Sequence, residues 1–324
     1  IPRVLYHWRI SKQSVAISAE VKPYAVRSAT RALSEHLENQ NIEASVEPFR
    51  NFGYKINYSI SDPAPFVELF LKPHTIDQNL FEGLRSLEEN TDYAPCKVSL
   101  ITSEDKLDPF TIKAFQAFDP SRFQLKDDNS QSINLDKMLK SSSADFIGMI
   151  DERCLTFKNR WLEKLISFAI QPGIGAVSPK LVYEDGHIHS CGVILGVNGI
   201  AEHLFSGATN DPAVNYYYGW DSLNKGYSVL PVGCIVVNHK YYSSVGGLHE
   251  KFSNSTAQII DFCLKLKEAG LRNILVPDAV VTINPIKRSR ENNNHPDLVP
   301  NQSDRDYLLY HWKKWIDQDP AFNP

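Results

Sequence analysis

The stretch Asp261-Phe262-Cys263-Leu264-Lys265-Leu266-Lys267-Glu268-Ala269-Gly270-Leu271-Arg272-Asn273 carries a helix signature. Asp261 reads as an acid of the first turn, where a carboxylate offsets the exposed N–H dipoles. Ile259, two places upstream, is hydrocarbon and cannot accept a proton. Outward from this helix, the apolar run 229–237 and the short stretch 192–195 read as later strands of an antiparallel part of a sheet. Further upstream the pattern alternates. An apolar run at 66–71 precedes a helix over 77–89 with Leu80, Phe81, Leu84 and Leu87 on one face. Strands follow at 97–102 and 145–150, then a helix over 155–171 with Trp161, Leu162, Leu165, Ile166 and Ala169 on one side, closed by Pro172-Gly173. Alternating units predict an α/β protein with a largely parallel sheet covered on both faces. In open sheets of this kind ligands sit beyond the carboxyl ends of the strands, so the chemistry is sought in the loops after Leu71, Thr102 and Ile150.

Residues 1–64 read as an α/β lead-in. They hold an amphipathic helix with Val26, Ala29, Leu33 and Leu37 on one face and a strand at 54–60, and they end in the turn-rich Ser61-Asp62-Pro63-Ala64-Pro65. At the other end, 287–301 lacks apolar periodicity and is expected to be a mobile loop. Leu308, Trp312 and Trp315 then mark a terminal helix over 307–316 that docks on the body. The expected division is 1–64 as connector, 65–290 as the main domain, and 291–324 as loop and C-terminal helix.

A length of 324 residues with 42% hydrophobic and 11% aromatic content is that of a globular chain with a substantial core. A net charge of -4 gives no electrostatic reason to expect nucleic acid or an anionic membrane surface. No apolar run approaches the roughly 18–20 residues that cross a bilayer. With neither an initiator Met nor a signal-peptide pattern, the sequence is expected to be an excised module. Its five cysteines, Cys96, Cys154, Cys191, Cys234 and Cys263, show no CxxC pair or metal spacing and are expected to be buried, reduced thiols of a cytosolic protein. Phosphate-binding glycine loops and a G-x-S-x-G elbow are both absent from the sequence.

The helix stretch resembles the "DFCLRLREAGYRN" signature of family 2 glycosyltransferases, and further landmarks follow in the family's order. Trp161-Leu162-Glu163-Lys164-Leu165 with Gly175-Ala176-Val177-Ser178-Pro179-Lys180-Leu181-Val182-Tyr183 resembles "WLEEL…IGAVGAKLLY". Asp185-Gly186-His187-Ile188 with Gly192-Val193-Ile194-Leu195-Gly196 resembles "DGTIQHAGVILG", and Gly246-Gly247-Leu248-His249-Glu250 resembles "GGFDE" before the acceptor-side helix. The lead-in resembles the "LYHWR…KPYA" connector of multidomain bacterial polysaccharide and O-antigen glycosyltransferases, and the ending Asp319-Pro320-Ala321-Phe322-Asn323-Pro324 resembles "DPYYNP". The resemblance implies a GT-A fold: Rossmann-like, with a mostly parallel central sheet flanked by helices.

Such a fold displaces a nucleotide diphosphate from the anomeric carbon of a sugar. That chemistry needs a base for the acceptor hydroxyl and, in this family, a divalent metal, Mn or Mg, on the diphosphate. The resemblance implies the metal contact at Glu152 beside Asp151, where the family's "NDD" or "DxD" motif begins here with Ile150. The donor nucleotide would meet Pro73, Thr102, Asp151 and Glu152, with Thr102 where the family has Asp. The family's base position is Ile259, which leaves Asp261 and Glu250 as candidates, and its late His is Asn284. His189, His203, Tyr218 and Trp220 are candidate acceptor contacts, the aromatics because ring faces stack on sugars.

Four positions, Thr102, Ile150, Ile259 and Asn284, thus change from charged or ligating to neutral, while scaffold residues such as Trp161 and Gly246-Gly247 are kept. The favoured reading is a family 2-like module of bacterial surface-glycan assembly, catalytically impaired or inactive and retained for binding or assembly beside other glycosyltransferase domains of a larger chain. It is expected in the cytoplasm, at the inner face of the membrane through a partner, without a transmembrane segment or nucleic acid. Two alternatives stay open. One is an active inverting nucleotide-sugar glycosyltransferase using Asp151 and Glu152 for metal. The other is a glycan-binding module.

Overall fold

A computed structural model of the chain describes residues 5–7, 23–50, 53–102, 107–127, 135–197, 199–214, 216–252, 254–285 and 300–322, without the side chains of Phe110, Tyr217 and Tyr218. The segment expected as a mobile loop lies outside the described residues except for Pro300 and Asn301.

The centre of the molecule is a ten-stranded mixed sheet. β3 (Val67–Leu71), β4 (Cys96–Thr102), β5 (Phe123–Asp127) and β6 (Phe146–Ile150) run parallel, in the order β6-β3-β4-β5. β13 (Cys234–Asn238) pairs antiparallel with β6 and joins it to β8 (Ile174–Val182), which runs parallel to β14 (Arg272–Ile283). The short β7 (Cys154–Phe157), β9 (Ile188–Ser190) and β12 (Lys225–Tyr227) extend this half. β3 and β8 are buried along their whole length, as expected of strands covered on both faces.

One face is covered by α2 (Gln78–Asn90) and α5 (Trp161–Ala169). α2 is capped by Asp77, which accepts from Leu80 N at 3.0 Å, and it contributes Leu80, Leu84 and Leu87 to the core. The helix expected from residue 155 begins only at Trp161. Residues 154–157 are drawn into the sheet as β7 because β14 offers them an antiparallel edge. The opposite face is covered by α4 (Leu135–Lys140), α6 (His239–Ser244), α7 (Ser255–Glu268), α8 (Gln302–His311) and α9 (Lys313–Asp317).

α7 begins earlier than the sequence suggests. Asn254 caps it, its side chain accepting from Thr256 N and Ala257 N, so Asp261 lies inside the helix and not in its first turn. In the lead-in, α1 (Pro23–Asn39) packs on a hairpin of β1 (Ala44–Phe49) and β2 (Gly53–Tyr58), of which β1 was not expected. The hairpin is fastened to the body by Lys55–Asp278 at 2.5 Å and by Tyr58 edge-on to Phe168 at 5.0 Å.

Two buried carboxylates organise the scaffold. Glu68 on β3 receives Ser99 Oγ at 2.7 Å, Ser142 Oγ at 2.5 Å and Lys126 Nζ at 2.6 Å. Desolvation pushes its pKa up, but the hydrogen bonds from Lys126, Ser142 and Ser99 outweigh it and hold the group below the usual carboxylate value. Asp136 on α4 accepts from Tyr242 Oη at 2.6 Å and Leu248 N at 2.8 Å and pairs with Lys140 at 2.6 Å. All five cysteines are free and buried. Burial pushes the thiols of Cys96, Cys191 and Cys263 up to about 12, which keeps them protonated and unreactive at neutral pH.

Candidate functional site

The strands β3 and β6 end side by side, and a cleft opens where they do. Its walls are Phe70 near the end of β3, Lys72 and His74 after it, Leu135 of α4, Met149 to Glu152 at the end of β6, Val232, Gly233 and Ile235 around β13, Leu248, and Ser255, Gln258 and Ile259 from the first turns of α7. The loops after Leu71 and Ile150 therefore line the cleft as expected, while 103–106, after Thr102, lie outside the described residues. The volume of the cleft is about 130 Å³. That is well below the roughly 300–1,000 Å³ of small-molecule sites.

The two acids of the cleft are already engaged. Asp151 accepts from Arg153 Nε at 2.8 Å and Arg153 Nη2 at 3.1 Å, a fork on a carboxylate, and also from Arg153 N at 2.9 Å. Glu152 turns the other way, and its Oε2 accepts from His74 N at 2.7 Å and Thr75 N at 3.1 Å. One acid is neutralised by a guanidinium and the other fastens the loop after β3 to the end of β6. Ile259 is 7% exposed and belongs to the apolar cluster under the cleft.

Several comparisons with known proteins agree on the architecture. The structure superposes on GalNAc-T7, solved with UDP, GalNAc and Mn2+, with a TM-score of 0.59 at 10% identity, covering 84% of this chain and 53% of that one. It superposes on the mannosyltransferase PcManGT of Pyrobaculum calidifontis, solved with GDP-Man and Mn2+, with a TM-score of 0.50 at 14% identity, covering 78% of this chain and 72% of that one. The chain has a GT-A glycosyltransferase fold. No family model matches it. Among curated proteins it is 27% identical over its whole length to an uncharacterized protein of Sinorhizobium fredii and 26% identical to the O-antigen biosynthesis protein RfbC of Myxococcus xanthus. It spans 36% and 25% of the lengths of these two relatives.

The remaining expected site residues of this GT-A chain divide by position. Pro73 is buried beside the cleft-lining Lys72 and His74, and Thr102 is the buried last residue of β4, with its hydroxyl lacking a hydrogen-bond partner. Asn284 donates its backbone N–H to Arg153 O at 2.9 Å, so the end of β14 does reach the end of β6. Asp261 does not face the cleft. It is fully buried on the far side of α7, where it accepts from Trp312 Nε1 at 2.8 Å and pairs with Lys265 at 2.7 Å. Glu250 is exposed and outside the cleft lining.

The expected acceptor contacts also lie elsewhere. His189 and His203 are buried, packed edge to face at 4.6 Å, with His203 Nδ1 2.9 Å from Ser190 Oγ. The ring of Trp220 carries the Lys225 ammonium 2.8 Å from its centroid, so that face is occupied by a cation. The side chain of Tyr218 lies outside the described residues.

Two residues that hold the site together escaped the sequence reading. Arg153 stands directly after the acidic pair, and its fork on Asp151 was readable only as an adjacent opposite charge. Asp136 positions the Gly246-Gly247-Leu248 turn. Gly247 has φ 70°, and a Cβ there would overlap the Asp136 carboxylate, so glycine is required. The Asp136–Lys140 spacing was the available signal. Among the described residues no three His, Cys, Asp or Glu side chains form a group that could hold a metal. A divalent ion of the Mn or Mg type seeks several oxygen ligands, and the acids at this strand end are committed to Arg153 and to backbone amides. The donor set does not fit the ion.

Proposed function

We propose that this chain is a GT-A module of bacterial surface-glycan assembly that does not carry out metal-dependent sugar transfer and serves binding or assembly beside other glycosyltransferase domains. The observation that carries this reading is the commitment of both cleft acids, Asp151 to Arg153 and Glu152 to the amides of His74 and Thr75. The hydrocarbon of Ile259 where the family holds its base supports it, since loss of a positioned base costs about 10²–10⁴-fold in rate. The glycan-assembly role rests on the kinship with RfbC, and the larger parent chain on the short share of the curated relatives that this chain spans. No described helix is long and apolar enough to cross a membrane.

The test is release of nucleotide diphosphate by the purified chain against a panel of UDP-, GDP- and dTDP-sugars with oligosaccharide acceptors, with calorimetric titration of the same donors with and without Mn2+. No turnover and weak, metal-independent donor binding are expected. Turnover abolished by Glu152→Ala, or micromolar binding that requires Mn2+, would overturn the proposal.

A further inference from the structure

A second cavity lies in the seam between the lead-in hairpin and the body. Its volume is about 730 Å³, inside the roughly 300–1,000 Å³ of small-molecule sites, and it shares no wall with the strand-end cleft. Its walls include Tyr58 of β2 from the hairpin and, from the body, Lys164 and Phe168 of α5, Asn224 just ahead of β12, and Asp278 of β14. A pocket of about 220 Å³ continues from it, sharing Tyr58, Phe168 and Asn224 and adding Tyr54, Ile274 and Arg272. Lys164 thus lines one chamber and Arg272 the other, and the three shared residues belong to both.

The fold leaves three features of this seam unmatched. Lys164 Nζ donates to Asp278 O at 2.8 Å and Arg272 Nη2 to Pro172 O at 3.3 Å, so each cation rests on a main-chain carbonyl. The neighbouring carboxylates are held by other cations, Asp278 by Lys55 at 2.5 Å and Glu163 by Arg160 at 2.6 Å. Asn224 Oδ1 is buried and accepts no hydrogen bond from the described residues. A buried amide oxygen is costly to leave in that condition, and an N–H or O–H donor matches it. Tyr54, Ile56 and Tyr58 alternate along β2 and turn one face of the strand to the smaller chamber, where Ile274 also lies. They make an apolar wall beside the cations. Burial raises the pKa of Tyr58 and the charge of Arg272 lowers it, so the field of that cation reaches the shared wall.

An occupant that matches all three has a negative charge, a flat apolar body and a hydrogen-bond donor on that body. We propose that the seam binds an aromatic anion carrying a ring N–H, the chemistry shared by indole acids and purine nucleotides, and that this ligand fastens the lead-in to the body. The walls come from both parts of the chain, so an occupant bridges them. The seam is separate from the strand-end cleft, so binding there is independent of whether sugar is transferred.

The test is calorimetric titration of the whole chain with indole-3-acetate and with GMP, which separates a carboxylate ligand from a phosphate one. Indole and inorganic phosphate, each carrying one half of the chemistry, are titrated alongside. Binding at micromolar to low-millimolar concentration is expected for at least one aromatic anion, and binding at least about tenfold weaker for indole and phosphate. Removal of one charged contact in Arg272→Gln should weaken the anion about tenfold or more, and loss of one acceptor in Asn224→Ala about 3–10-fold. Arg272 is exposed, so an unchanged melting temperature in Arg272→Gln will separate a lost contact from a lost fold. Bound ligand should also slow amide exchange in β1 and β2, and slow it less in Arg272→Gln at the same concentration. Failure of both aromatic anions to bind, equally tight binding of phosphate alone, or binding indifferent to both substitutions would overturn the site. Binding lost in Lys72→Ala but kept in Arg272→Gln would put the anion in the cleft and overturn it as well.

Discussion

Ile259 and Asp261 stand two residues apart on α7 and face different surroundings. Ile259 turns to the cleft and lines it with hydrocarbon. Asp261 turns to the C-terminal helices and is spent on Trp312 and Lys265. The helix thus keeps an acid where the acid holds two parts of the chain together and presents hydrocarbon where it meets the cleft. The other carboxylates extend the contrast. Glu68 and Asp136 are buried and build the scaffold, while Asp151 and Glu152 at the cleft are engaged by groups of the protein itself.

The sharpest way to break the contrast is Ile259→Asp. It removes a buried aliphatic side chain and places a carboxylate against an apolar cluster, so we expect a loss of more than about 3 kcal/mol in urea denaturation and no sugar transfer. A stable variant with turnover would show that the cleft lacks only its base. Next comes Asp261→Ala, which leaves the Trp312 indole N–H buried without its acceptor. We expect a loss of about 1–3 kcal/mol, together with faster amide exchange in α8 and α9, and no change in any ligand binding at the cleft. Were the cleft affected and the helices not, the division of labour along α7 would be wrong.

Acid sensitivity should follow the scaffold carboxylates. The pKa of Glu68 is lower in the folded chain than its unfolded reference of 4.5, so its contribution is complete above that value and is lost as pH falls below it towards the folded pKa. The urea midpoint should therefore drop on acidification through this window, and part of that drop should vanish in Glu68→Gln. The smallest effect is expected from Arg153→Gln. The Asp151 pair is partly solvated, so stability should change by about 1 kcal/mol or less. Release of Asp151 should still raise Mn2+ affinity measurably by calorimetry, and an unchanged affinity would show that Arg153 is not what keeps the ion away.

Much of the architecture was legible in advance because it rests on periodicity. The faces of α2 and α5, the buried parallel strands and the strand-end position of the cleft all follow from spacing of apolar residues. The exceptions have local causes. Residues 155–157 read as helix until β14 offers them an edge, and α7 starts ahead of the recognisable run because its cap, Asn254, lies before that run. The site was legible only as positions. The family resemblance implied that Asp151, Glu152 and Ile259 share one site, but the partner each acid chooses is a matter of tertiary geometry. Glu152 finds the amides of His74 and Thr75, 78 and 77 residues away in sequence. The packing of Tyr307 against His249 and Phe252 likewise joins residues near 250 with a residue near 310, and neither half is conspicuous alone.

The fastening of α8 and α9 has a consequence for how the chain comes apart. Asp304 holds Asn254, Asp261 holds Trp312, and Asp319 accepts from Leu195 N at 2.9 Å and Ser228 Oγ at 2.5 Å. These tethers lie on three separate parts of the body, so the C-terminal piece is bound much as a small subunit is bound to its partner. Hydrolysis of one peptide bond between Pro285 and Pro300 should leave two fragments that migrate together under native conditions and separate only in denaturant.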